Sequence, residues 1–85
     1  MKLNRKDLDK IIIKILKEVT ALPKISVKSD INDLYIDSIT WVQIIEKIEE
    51  KIGKFSDLEA FFTESLSVNT VKEMIDLIDL HMSKN

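Results

Sequence analysis

One serine stands where a hydroxyl could carry chemistry. Ser38 lies in the run Asp33-Leu34-Tyr35-Ile36-Asp37-Ser38-Ile39, followed at once by an amphipathic helical pattern. The pattern predicts its hydroxyl at a helix N-terminus, with an acid before it and an aliphatic residue after it. No base accompanies it. The single histidine is at position 81, near the C-terminus on what reads as a fraying tail, and cysteine is absent. Nucleophilic triads, thiolate or histidine metal sites and disulfides therefore have almost nothing to work with, and no catalytic residue or metal ligand is assigned. Taken alone, Ser38 reads as a simple helix cap, because serine caps are common.

The elements that must position Ser38 are helices. Asn4 can cap a first helix, with Asp7 three residues on. Leu8, Ile11, Ile12, Ile15, Leu16 and Val19 then form one apolar stripe, from which Ile13 falls away towards solvent. Pro23 forbids continuation. Residues 21–36 form a long connection studded with Ile25, Val27, Ile31, Leu34 and Ile36, too apolar to be freely solvated. It is expected to wrap the bundle. A strand at residues 25–27 is rejected because no second strand is available to pair with it. A second helix runs from about Asp37 to Lys51 and ends at Gly53, the one glycine in the chain. Ser56 with Glu59 opens a short third helix bearing Leu58, Phe61 and Phe62. Thr70 with Glu73 opens a fourth, with Val71, Met74, Ile75 and Ile78 on one side. The expected fold is all-α: a small four-helix bundle with a long loop between helices one and two and a short third helix, residues 1–85 forming a single domain. The three Met, Phe55, Phe61, Phe62, Tyr35 and Trp41 read as core or core-edge packing.

Composition limits the partners. Eighty-five residues leave room for one small core and no large buried cleft. No apolar run approaches the roughly 20 residues that span a bilayer. The N-terminus has no long apolar segment or small-residue cleavage site. A cytoplasmic monomer without a membrane partner is expected. The net charge of −2 hides an asymmetry: residues 1–28 carry +5 and residues 29–85 carry −7. The basic first helix (Arg5, Lys6, Lys10, Lys14, Lys17) invites nucleic acid, but a sequence pI near 5.3 opposes it, so no nucleic-acid partner is expected. The acidic part contains Ser38 and favours basic partners.

Nearly the whole chain resembles the acyl carrier protein family. The resemblance rests on Asp37-Ser38-Ile39 at the second helix, on Asp33-Leu34 ahead of it, and on Ile39-x-x-Val42-x-Ile44-Ile45-x-x-Ile48-Glu49-Glu50-x-Ile52-Gly53 behind it. The long first helix, studded loop, short third helix and closing helix agree. A bare Asp-Ser-Ile is weak; the tripeptide at this depth in this architecture is much stronger. The resemblance implies a non-enzymatic carrier, with cargo held as a thioester on 4′-phosphopantetheine attached to Ser38 and supplied from coenzyme A by a phosphopantetheinyl transferase. The local chemistry agrees: a helix N-terminus stabilises an attached phosphate, and Asp37 can cap the same end. Loading would fall to an acyl- or aminoacyl-ligase, and use to downstream synthase or transferase enzymes.

On a helical wheel, Trp41, Ile45, Ile48 and Ile52 should face the core, with Ile44 and Val42 at its two borders. In the family, the outward face of this helix docks onto basic patches of partner enzymes. Carried over by position, Ile39 and Val42 become apolar contacts, and Glu46, Glu49 and Glu50 ionic ones. The plain alternative is a solvated helix face.

Three residues depart from the fatty-acid type of carrier. Thr40 and Gln43 stand where acids are usual, and Tyr35 where glycine often sits. Trp41 occupies a place usually held by a smaller residue beside the acyl cavity, and an indole there takes up space an acyl chain needs. The stretch from Gly53 to Thr70 runs long and lacks an Ile-Pro-Asp-like segment. These features favour a specialised carrier, in a polyketide, nonribosomal peptide or modified-acyl pathway, over a primary fatty-acid carrier. A non-modified helical interaction module is the alternative from another class.

Overall fold

The structure, a computed structural model, describes residues 4–55 and 57–82. Four α-helices follow one another: α1 (Arg5–Thr20), α2 (Ser38–Lys51), α3 (Leu58–Ser65) and α4 (Val71–Met82). A short 3₁₀ turn, Ile31–Leu34, interrupts the α1–α2 loop. There is no strand among the described residues. The expected all-helical bundle with a short third helix is what forms.

Helix α1 starts where Asn4 accepts a hydrogen bond from the Asp7 backbone N–H at 2.9 Å. Its buried face is Leu8, Ile12, Ile15 and Leu16, and Ile11 and Val19 flank it half-buried. Ile13 is half-buried: part of it packs against the core and part stays open to solvent beside the lysines of α1, so the stripe is wider than its spacing implied. The helix closes on Ala21, whose left-handed backbone (φ 60°) aims its N–H at the Lys17 carbonyl. Arg5 bonds Asp9 at 2.8 Å and reaches Asp76 at 2.6 Å, tying the start of α1 to α4.

The long loop is anchored from both sides. Ile25 and Leu34 are buried; Val27, Ile31 and Ile36 are half-buried against the core. Its backbone also pairs with the start of α4. Lys72 donates to the Val27 carbonyl and Val71 to that of Ser29, both at 2.9 Å, while Ile31 donates to Asn69 at 2.8 Å. A single antiparallel bridge, Asp30 to Thr70, marks the contact. The loop thus forms no strand, but it finds a pairing partner in the turn before α4. That pairing matters because the first N–H groups of a helix have no partner within it. In α4, Val71 and Lys72 use loop carbonyls, and the Glu73 N–H uses the Thr70 hydroxyl at 3.2 Å. Glu73 in return accepts from the Thr70 N–H at 3.0 Å, completing the expected capping box.

Helix α2 buries Ile44, Ile45 and Ile48. Ile44 is fully enclosed, not a border residue, and Trp41 and Ile52 sit at the edge, so the buried face is rotated from the wheel estimate. Gly53 follows at φ +151°, a backbone that side-chain-bearing residues rarely adopt. Helix α3 is capped by Asp57, which accepts from the Ala60 N–H at 3.0 Å. The cap expected at Ser56 lies outside the described residues.

Phe61 of α3 is fully buried, with Phe55 at 4.6 Å between ring centroids, Trp41 edge-on at 6.2 Å and His81 edge-on at 5.6 Å. His81 is therefore no tail residue. It is 1 % exposed, on the buried face of α4 one turn after Ile78, and its Nε2 lies 3.1 Å from the Glu64 carboxylate. Tyr35 reverses the other way: it is 84 % exposed, not core. Phe62 is also on the surface, and Met74 is buried. Met1 lies outside the described residues.

Candidate functional site

Two left-handed or extended residues bend the chain sharply into α2. Asp30 accepts from the Asn32 N–H at 2.8 Å and starts the 3₁₀ turn. Tyr35 ends it at φ 52°, a conformation costing roughly 1–2 kcal/mol for a residue with a side chain. Leu34 and Ile36 hold the turn down, one buried and one half-buried, while Tyr35 between them projects into solvent. Asp37 is extended, and the helix begins at the next residue.

Asp37, not Ser38, is the cap. Its carboxylate accepts from the Thr40 backbone N–H at 2.7 Å. That hydrogen bond, with one from the Thr40 hydroxyl, holds the carboxyl below the usual carboxylate range and outweighs slight desolvation. Ser38 is thereby freed from the role a lone serine would take. It is the first helical residue, it is exposed, and its hydroxyl has no hydrogen-bond partner among the described residues. The simple-cap reading of Ser38 does not hold here.

The surroundings of that hydroxyl fit a phosphodiester. The open end of α2 presents the positive end of the helix dipole and N–H groups not used inside the helix. Ser38 is exposed, so a bulky substituent meets no wall among the described residues. Among the described residues no cluster of histidine, cysteine, aspartate or glutamate could hold a metal ion.

The outward face of α2 is apolar near Ser38 and acidic further along. Ile39 is 72 % exposed and Val42 48 %, far from the burial usual for such residues. Glu46 and Glu50 are exposed and form no ion pair among the described residues. Glu49 differs. It is half-buried and accepts from the Phe55 N–H at 3.4 Å, helping to close the turn after α2. Lys47, between these glutamates in sequence, pairs with α1 instead, 3.7 Å from Glu18. The structure thus brings Asp37, Ser38, Ile39 and Val42 together at one end of α2, with Glu46 and Glu50 one and two turns away.

Exposed Tyr35 was missed as part of this surface. Its place between two apolar residues suggested packing, and nothing local signalled a left-handed turn at a tyrosine.

The sequence model of the family described as "Phosphopantetheine attachment site" matches residues 10–78, most of the chain. No curated protein and no solved structure matches it significantly.

Proposed function

This chain belongs to the phosphopantetheine attachment site family and is a carrier bearing covalently attached 4′-phosphopantetheine; from that premise we propose that Ser38 is the attachment residue and that the carrier serves a specialised acyl or aminoacyl pathway. Carriers of this kind are typically non-catalytic. When bound, the group supplies a terminal thiol that holds cargo as a thioester.

The observation that carries the Ser38 assignment is the division between cap and hydroxyl. Asp37 fills the cap, so an uncommitted serine hydroxyl stands at the open end of α2. Among the described residues the one carboxylate next to it, Asp37, is engaged by Thr40 and the histidine is buried against Phe61, so a separate phosphopantetheinyl transferase activates it, with coenzyme A as donor. The chain's own residues do the holding: the α2 N-terminus bears the phosphate charge, and Asp37 keeps that end formed. Ile39 and Val42 supply apolar contacts to the transferase and to loading and downstream enzymes, and Glu46 and Glu50 supply charge. Glu49 contributes less, because its carboxylate already serves the turn at Phe55.

Trp41 supports the choice of cargo. Its ring lies edge-on to Phe61, itself packed by Phe55 and His81, so aromatic side chains fill the space between α2 and α3. A long acyl chain entering there would have to displace a packed indole. The cargo is therefore short, polar or aminoacyl and stays outside the bundle. In solution NMR, loading a long acyl chain should shift resonances near Ser38 and leave Trp41, Ile44 and Ile48 in place. Large shifts at those core residues would mean that the chain is sequestered, and would favour a primary fatty-acid carrier.

A further inference from the structure

Helix α1 carries a charged surface that the carrier reading leaves unused. Its core side is Leu8, Ile12, Ile15 and Leu16. On the solvent side Lys6, Lys10, Lys14 and Lys17 recur at spacings that put them in one row. All four are exposed, and none forms an ion pair or side-chain hydrogen bond among the described residues. Arg5, by contrast, is neutralised by Asp9 and Asp76. Like charges one turn apart weaken a helix; only Lys17, in the last turn of α1, has a favourable place against the helix dipole, and no side chain among the described residues accounts for Lys6, Lys10 and Lys14. The four lysines line a shallow groove of about 370 Å³ together with Asp9 and the half-buried Ile13.

The exposed cations favour an anionic partner, and the length of the row with the charge around it selects among anions. Nucleic acid and lipid surfaces carry phosphate charge well beyond the row. There they meet the acidic remainder of the chain, −7 over residues 29–85, which repels them. An acidic helix fits within the row. It spans about 16 Å, some three helical turns. Carboxylates at matching intervals would meet the lysines one by one. A single apolar residue among them would cover Ile13 and the lysine stems.

We propose that the row Lys6, Lys10, Lys14 and Lys17, with Ile13 at its floor, is a docking groove for an acidic amphipathic helix of a partner protein, separate from the α2 face beside Ser38. It lets a partner hold the carrier while Ser38 stays accessible.

The test is an NMR titration of the full unmodified chain with a synthetic helical peptide bearing glutamates at the lysine spacing around one leucine. Because no phosphopantetheine is needed, the result is independent of the Ser38 assignment. Saturable shifts should map to Lys6, Lys10, Ile13, Lys14 and Lys17. Reversing Lys10→Glu with Lys14→Glu should weaken binding roughly tenfold, whereas Lys10→Arg with Lys14→Arg should retain it. A peptide of the same composition with scrambled spacing should bind several-fold more weakly. Equal binding by the scrambled peptide, or shifts located elsewhere, would overturn the groove. Shifts in the row with phosphatidylserine vesicles or duplex DNA but not with the peptide would overturn the protein partner. Self-association lost on Lys10→Glu with Lys14→Glu would assign the row to the acids of a second copy and overturn it equally.

Discussion

Asp37 and Ser38 are adjacent, yet only one of them is committed to the helix. The Asp37 carboxylate is held ionised by Thr40. Its folded pKa lies below the unfolded value near 3.8. The stability it contributes is thus fully present above that value and is lost as pH falls through the lower folded one. Asp37→Asn keeps a capping oxygen and removes the charge. The variant should melt below the wild type at neutral pH, and the two melting temperatures should converge in acid. A gap that persists unchanged at the lowest pH would show that the charge is not what Thr40 stabilises. The Asp-Ser-Ile tripeptide and its helix were legible in the sequence because capping and periodicity are local. Which of two neighbouring polar residues takes the cap was not. That depends on the extended backbone of Asp37, set by the turn at Tyr35 before it.

At the scale of elements, the helices were legible and their burial only partly so. Spacing and caps marked the start of α1 and of α4 and both ends of α2, because one apolar stripe per helix is a strong signal; the last turn of α4 was not marked. The loop's hold on α4 was not legible, since backbone donors at Val71 and Lys72 leave no mark in residue type. His81 was misread for a related reason: nearness to the chain end suggested fraying, while its register on α4 puts it one turn beyond Ile78, against Phe61. His81→Ala should therefore destabilise the fold by roughly 2–4 kcal/mol, the cost of a cavity among close-packed rings. Urea unfolding with an unchanged m-value would read it directly. A loss under about 0.5 kcal/mol, as for an ordinary surface change, would contradict the burial of α4's last turn.

The whole molecule is small enough that its core and its surface must do different jobs. Its radius of gyration is 11.7 Å, close to the roughly 12 Å of a compact chain this long. The interior is spent on packing α1, α2, α3 and α4 around Phe61, Ile12 and Ile75. Function is left to surfaces: the end of α2 with its exposed hydroxyl, the apolar and acidic face behind it, and the basic row on α1. The charge asymmetry between residues 1–28 and 29–85 was legible as a sum. Its division into a neutralised Arg5 and an unneutralised lysine row needed the positions of Asp9 and Asp76. The central claim is that Ser38 carries the group. The measurement that meets it most directly is intact mass after incubating the apo-protein with coenzyme A, Mg²⁺ and a promiscuous phosphopantetheinyl transferase, with Ser38→Ala alongside. The account predicts a gain of one phosphopantetheinyl unit in the wild type and none in a variant whose circular dichroism is unchanged. A gain in both proteins, or in neither while both remain folded, would contradict it.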